Sequence, residues 1–493
     1  MQRLNFKHVL CSLTLGFLLS PSVFAQETNN ENLESTPIES VDIIETTESM
    51  QQETTFISET SMTTTQETFV ENQPITESDL PEGMSLEEAK EFIEADPTAT
   101  EDTIRLEKRL EEFRASTEGS DFYEIPDKLP EKDGTLLKQK SGKFYLDPLR
   151  WIEHKGKVIN FMYKTTDSRQ RARGAVATLL EAIKPNGNVI IHAPGTQGLS
   201  DASAPSRQLA MGTEYEGINV MNAVNVGYSV VVVDYIGLGP EGTHTYMNRK
   251  DQAHAVIDAA RAVSQLQGTW INKKTPLQFR GYSQGGGAAG AALELAPTRA
   301  PELNLVSGAI GAPPADMIQV AEKIDGTLYN GFLLFSLASI VESEGLNPEK
   351  FLNEEGLKRL SMAQNQSTMQ ALISHAFIDT RTLTKDGKSF SELVKLEPFA
   401  NILNSYKLGM EGRHPNVPVL ITHSLTDDVI PFSVGYELGR RWATLGTMIT
   451  FEMTPVPTHI GAFFGAMPRV AIYTARLFEG LSPIIHNWWW GIV

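Results

Sequence analysis

Three short stretches of this 493-residue chain carry residue types that together can run nucleophilic acyl chemistry. The first is Gly281-Tyr282-Ser283-Gln284-Gly285-Gly286-Gly287, which lies between an apolar run, Pro276–Phe279, and the small-residue segment Ala288–Leu293. Strand, sharp turn and helix form the setting in which G-x-S-x-G lifts a serine Oγ clear of the backbone. Glycine two residues to either side of Ser283 removes the side chains that would collide in such a turn. The helix start behind it supplies oriented N–H groups and the positive end of a dipole. A serine hydroxyl remains a poor nucleophile at neutral pH unless a base takes its proton and a carboxylate orients that base.

The second stretch offers the carboxylate. Val417–His423 reads as a strand and runs into Ser424-Leu425-Thr426-Asp427-Asp428-Val429-Ile430-Pro431, so Asp427 and Asp428 both stand at a strand tip. The third offers the base. His459 lies in Pro455-Val456-Pro457-Thr458-His459-Ile460-Gly461, read as a loop directly after the last strand, Met448–Met453. Nucleophile, acid and histidine occur in the chain order of one known triad arrangement. His423, beside the acid loop, and His192, at the end of another strand, are candidates for supporting roles. Hydrolysis of an ester also needs N–H donors for the developing oxyanion. One is expected from Gln284 and the other from Thr196 or Gln197, in the loop Ala193–Gly198.

Elements able to position these groups can be read from the hydrophobic pattern. Val158–Tyr163 and Gly174–Leu180 suit a strand pair around the turn Asp167–Gln170. Asn188–Ile191 and Tyr228–Asp234 are the β-branched runs of strands buried on both faces of a parallel sheet. With Leu303–Ala309, the strands already named and a helix over Arg249–Gln267, the pattern predicts a doubly wound, mostly parallel α/β domain. Residues 314–415 are too long for a simple crossover. Helical patterns at Met317–Ile324, Leu333–Val341, Met369–Phe377 and Phe390–Val394 predict a helical insertion there. It reads either as a subdomain with its own core or as a cap walling an apolar acyl pocket.

The net charge of −19 belongs to one segment. Residues 26–120 hold about 25 acidic against about 5 basic side chains, which leaves residues 121–493 close to neutral. A nucleic-acid partner would need a basic stripe, and none is present. Residues 1–25 read as a secretory signal peptide, with Arg3 and Lys7, an apolar Val9–Leu19 and small residues before a cut after Ala25. That apolar run is shorter than the roughly 20 residues of a stable membrane span. Cys11, the single cysteine, falls inside it, so the mature chain is expected to lack disulfides and thiolate metal sites. Residues 26–80 are polar and aperiodic and are expected to be disordered; residues 81–120 carry amphipathic helical spacing. Residues 121–493 are expected to form the catalytic domain. At the C-terminus Trp488, Trp489 and Trp490 either cover a core edge or form an exposed aromatic patch.

Taken together, Phe144–Pro148, Pro194–Gly198, Ala204-Pro205-Ser206, Gly227–Tyr235, the Gly281–Gly286 turn, Asp427–Pro431 and Pro457-Thr458-His459 resemble the secretory lipases. This is the Candida antarctica lipase A-like group, and the likeness is to its bacterial branch. The resemblance spans roughly residues 120–480. It implies an α/β-hydrolase with a helical cap between turn and acid, and a Ser283–Asp427–His459 triad in which the first acid of the pair serves. It also implies acylglycerol or simpler ester substrates met at a lipid–water interface, and no metal or organic cofactor. Fungal members carry a cysteine where this chain has Ser203, so their disulfide has no counterpart here. Two other readings compete with a lipase. One is a short-chain carboxylesterase or acyltransferase on the same fold, and the other is a catalytically silent lipid- or surface-binding module.

Overall fold

The structure, a computed structural model, describes residues 122–483 and the short stretches 76–80, 85–87, 89–90 and 108. The expected signal peptide, the bulk of the acidic segment and of residues 81–120, and the three C-terminal tryptophans lie outside the described residues. The chain divides into two units, residues 1–108 and 109–493. In the first, Glu77–Asp79 form one 3₁₀ turn, and the Ala89 N–H donates to the Ser85 carbonyl at 3.0 Å.

Among the described residues the second unit is built on nine strands: β1 Leu136–Ser141, β2 Val158–Thr166, β3 Ala172–Leu180, β4 Val189–Ala193, β5 Ser229–Ile236, β6 Leu277–Tyr282, β7 Leu305–Gly311, β8 Val419–Ser424 and β9 Ile449–Thr454. Their order across the sheet is β1-β2-β3-β5-β4-β6-β7-β8-β9. The pairs β1–β2, β2–β3 and β3–β5 are antiparallel, and from β5 to β9 all pairs are parallel. The doubly wound expectation therefore holds, with an antiparallel edge. β1 was not foreseen, because its sequence LLKQKS is polar and only half-buried at the sheet edge.

Both faces of the parallel strands are covered. Val231 and Val233 of β5, with Ile191 of β4, face a core that includes helix α3 (Arg249–Ala262) and helix α4 (Gln284–Arg299). Val230, Val232 and Ile190 face the other way, onto α1 (Pro205–Met211) and α2 (Gly217–Asn225). Each such buried valine or isoleucine contributes about 1.5–3 kcal/mol, which is why the runs carry no polar alternation. Helix α3 starts on an Asn248 cap and ends at Ala262, short of the expected Gln267, with a 3₁₀ turn Val263–Gln265 completing the segment.

Between β7 and β8 lie α5 (Met317–Ile324), α6 (Gly331–Glu344), α7 (Glu354–Ala363), α8 (Thr368–His375), α9 (Phe390–Leu393) and α10 (Phe399–Tyr406). α6 buries Leu333, Leu334, Phe335, Leu337 and Ile340, so it is apolar nearly all round and sits inside the insertion rather than on it. Helices α7 and α10 were not foreseen. Past the insertion come α11 (Phe432–Thr444) and α12 (His459–Phe478). The buried Glu294 of α4 accepts from the Trp442 indole at 2.9 Å and from the Gly409 N–H, and Arg249 and Arg413 each lie 3.6 Å from it. The end of the insertion is thereby tied to α4 and α11.

Candidate active site

The residues singled out from sequence gather at the carboxyl ends of the parallel strands, where open α/β sheets bind ligands. Ser283 occupies the turn between β6 and α4 with φ 57° and ψ −125°, a conformation that costs a non-glycine residue of order 1–3 kcal/mol. Its N–H donates to the Gly311 carbonyl at 2.9 Å, and its own carbonyl accepts from Gly287 at 3.0 Å. A Cβ on Gly281 would lie 2.3 Å from the Gly285 oxygen, and one on Gly285 would lie 1.9 Å from the Ala193 oxygen. Both glycines are there because the backbones of β4, β6 and α4 leave no room for anything larger.

Of the two acids, Asp427 faces the imidazole. Its Oδ2 accepts from His459 Nδ1 at 2.8 Å, while Oδ1 accepts the Val429 and Ile430 N–H groups at 2.9 and 2.8 Å. Burial alone would raise this carboxyl. The bond from His459, the neighbouring His459 and His423 and the Ile430 N–H outweigh it and hold Asp427 below the ordinary carboxylate value. Because a carboxylate only accepts, Nδ1 of His459 must carry the proton, an assignment that rests on the partners. Nε2 is left as an acceptor, buried and without a hydrogen-bond partner among the described residues. His459 is not in a loop, as expected, but is the first residue of α12, capped by Thr458, whose Oγ1 accepts the Gly461 N–H at 3.1 Å. Tyr282, next to the serine, donates its hydroxyl to the His459 carbonyl at 2.7 Å and rests its ring 5.1 Å from the imidazole.

Asp428 does something different. Its Oδ1 accepts the backbone N–H of His459 at 2.7 Å, and its Oδ2 accepts the hydroxyl of Tyr329, from the insertion, at 2.6 Å. His423 is fully buried, with Nε2 donating to the Ile430 carbonyl at 3.1 Å and lying 3.6 Å from Asp427. Burial, only partly countered by Asp427 and the Ile430 carbonyl, lowers it to about 4, so at neutral pH it is an uncharged brace of the acid loop.

The N–H of Gln284 is the first amide of α4, where no helical carbonyl precedes it. The Gln284 side chain is fixed by His244: Nδ1 of that ring donates to the Ile236 carbonyl at 3.1 Å, and Nε2 accepts from Gln284 Nε2 at 2.9 Å. Burial takes His244 to about 4, which keeps it neutral and able to accept. In the opposite loop Gly195 donates its N–H to Glu216 Oε1 at 2.7 Å, which takes that amide out of use. Oε2 of the same carboxylate accepts from His192 at 2.7 Å, so His192 is a structural support under the loop. Thr196 pairs its hydroxyl with Tyr246 at 2.9 Å, and Gln197 donates its side-chain amide to Glu214 at 2.9 Å. Among the described residues the backbone N–H groups of Thr196 and Gln197 have no protein acceptor. Sequence reading missed His244, Tyr246, Glu216 and Tyr329, none of which sits in a recognisable motif.

A strained serine at a strand–helix turn, a carboxylate-oriented histidine and unclaimed amides on two loops define the class: a carboxylic ester hydrolase on the α/β-hydrolase fold. The comparisons narrow it. The Secretory lipase family profile matches residues 202–484, and the chain belongs to that family. It is 24% identical over 393 residues to a secreted triacylglycerol lipase of Malassezia restricta, covering 74% of this chain and 80% of that protein. Lipase 2 of Candida albicans is also 24% identical, over 74% of this chain and 81% of its own length. Among solved structures, Candida antarctica lipase A in its closed state superposes with a TM-score of 0.66 at 20% identity, over 75% of this chain and 88% of that one. Among the described residues no helix is long and apolar enough to cross a membrane, and no cluster of side chains is set up to hold a metal ion.

Proposed function

We propose that this chain is a triacylglycerol lipase working through Ser283, His459 and Asp427. Ser283 Oγ attacks the ester carbonyl and passes its proton to His459 Nε2; Asp427, bonded to Nδ1–H, stabilises the imidazolium that results. The proton then goes to the leaving alkoxide, which departs as alcohol and leaves an acyl-serine. Water, activated by the same nitrogen, hydrolyses that acyl-enzyme. The oxyanion is met by the N–H of Gln284 and by an N–H of Thr196 or Gln197. The observation that carries the reading is the 2.8 Å Asp427–His459 bond, on a histidine whose other nitrogen is open, beside a serine in a strained turn.

Residues 314–415 serve as a cap that selects the ester. Inside it Met317, Leu333, Leu337, Phe390, Phe399 and Leu403 line an apolar gap of about 30 Å³, so an acyl chain would enter only as these side chains move apart. Around the catalytic loops Leu425 is 62% exposed and Phe464 48%, and Phe377, whose N–H donates to Thr327 two residues before Tyr329, is 72% exposed. Large apolar side chains in water beside an ester-hydrolysing site support action at a lipid–water interface. Membership of the secretory family and the signal-like residues 1–25 support work after export, in the periplasm or outside the cell.

The test compares emulsified long-chain triacylglycerols with soluble p-nitrophenyl butyrate, using Ser283→Ala as control. A lipase turns over the emulsion at least as fast as the soluble ester, and the variant is inert on both. Hydrolysis of the soluble ester alone would make the chain a simple carboxylesterase.

A further inference from the structure

The loop Pro194–Gly198 is held from the cap side as well as from the core. Thr368, first residue of α8, donates its hydroxyl to the Thr196 carbonyl at 2.8 Å and its N–H to the Gln197 carbonyl at 2.9 Å. The Leu199 N–H donates to the Gln366 carbonyl at 2.9 Å, which completes a short antiparallel bridge between Gly198 and Ser367. The two backbones lie so close that a Cβ on Gly198, at φ +131°, would come within 2.5 Å of the Gln366 oxygen. The Gln366–Thr368 segment is braced in turn. Ser367 and Gln370 form a capping box, and Gln366 is pinned through its side chain to His375 at 2.8 Å and Ser374 at 3.0 Å.

In a trans peptide the C=O of one residue and the N–H of the next point in opposite directions. Fixing the Thr196 carbonyl on Thr368 therefore fixes where the Gln197 N–H points, and that N–H is one of the two unclaimed amides of the loop. On the core side the Pro194–Gly195 peptide, two peptides back, is fixed the same way, with Tyr235 donating to the Pro194 carbonyl at 2.7 Å and Gly195 donating to Glu216. We infer that Thr368 is a positioning residue for the oxyanion loop, so that the cap completes the catalytic apparatus as well as walling it. Without its hydroxyl the Thr196 carbonyl loses its anchor and the Thr196–Gln197 peptide can tilt, so the donor is misdirected in a fraction of the molecules before each turnover. This inference rests on the Ser283 hydrolase reading.

The experiment measures kcat and KM on p-nitrophenyl butyrate, and inhibition by a trifluoromethyl ketone that mimics the tetrahedral intermediate. The proteins are wild type, Thr368→Val, which keeps the shape, and Thr368→Ser, which keeps the hydroxyl. Removing an oxyanion donor outright costs about 10²–10³ in kcat, so a mobile donor should cost about 10- to 100-fold. Thr368→Val is expected to lose that factor in kcat with KM within about twofold, to lose the same factor in ketone affinity, and to be rescued to within about threefold by Thr368→Ser. An unchanged kcat in Thr368→Val, a loss confined to KM, or a failure of Thr368→Ser to rescue would overturn the inference. Labelling of each protein by a fluorophosphonate separates the two layers. If wild type is labelled and Thr368→Val behaves like it, only the inference falls; if wild type is not labelled, the hydrolase reading falls and takes the inference with it.

Discussion

The carboxylate of Asp428 accepts the backbone N–H of His459 at 2.7 Å, while its neighbour Asp427 accepts from the ring of the same residue at 2.8 Å. Two adjacent acids thus hold one histidine at two points. The outer one is also bonded to Tyr329 of the helical insertion, so removing it strands two donors at once. Leaving a buried donor unsatisfied costs about 1–3 kcal/mol. Asp428→Ala should lower kcat about tenfold or more, and Tyr329→Phe, which spares the His459 bond, should lower it less. Equal kcat for Asp428→Ala and wild type on p-nitrophenyl butyrate would show that the second anchor is idle.

Asp427→Asn separates orientation from fold. The Val429 and Ile430 N–H groups keep an acceptor, so the acid loop should stay in place and the melting temperature should move little. The amide favours the wrong imidazole tautomer, and the expected loss in kcat is about 10⁴. A loss under tenfold would point to a different acid.

The legibility of this site in the sequence follows the range of its interactions. Ser283, Asp427 and His459 could be read because each rests on local structure: a glycine-flanked turn, a strand tip and the segment after the last strand. The choice between Asp427 and Asp428 needed either the family resemblance or the fold, since neighbouring identical side chains diverge only once the backbone turn is fixed. Tyr329 meets Asp428 across 99 residues, and Thr368 meets Thr196 across 172, so neither pairing leaves a local pattern. β5, buried throughout and carrying the unbroken run Val230–Val233, is legible; β1, polar and at the edge, is not. In sequence His459 reads as a loop residue because Pro455 and Pro457 mask a helix that begins immediately after them, at a Thr458 cap with φ 65°.

The glycines of the serine turn are not equivalent. Gly285→Ala places a methyl group 1.9 Å from the Ala193 oxygen, a collision with backbone that no rotamer relieves. That variant should be insoluble or inactive. At Gly287 the added carbon meets only the Pro314 ring, at 3.1 Å, so Gly287→Ala should fold and retain most activity. Soluble yield and ester hydrolysis of the pair check this, and an active Gly285→Ala enzyme would contradict the packing.

A pH effect on stability should trace to Asp234. Burial, partly offset by two bonds from Ser206 and by the Arg207 charge, raises its carboxyl from an ordinary 3.8 to about 7. Between those values the folded state keeps a proton that the unfolded chain has released. The contribution is therefore complete below about pH 4 and is lost as pH rises through 7. Asp234→Asn keeps an acceptor for the Ser206 N–H and carries no charge to desolvate. Its melting temperature relative to wild type should rise by at least about 3 °C between pH 5 and pH 8. A difference that stays flat, or falls, over that range would refute the assignment.

Whether Ser283 is the nucleophile is read most directly from the mass of the peptide that a fluorophosphonate modifies. Purified protein is treated with the probe, digested and sequenced by tandem mass spectrometry, with Ser283→Ala and His459→Ala treated in parallel. One adduct per chain is expected, on Ser283, absent from the Ser283→Ala protein and strongly slowed in the His459→Ala protein. An adduct on another serine, or labelling that persists in Ser283→Ala, would contradict it.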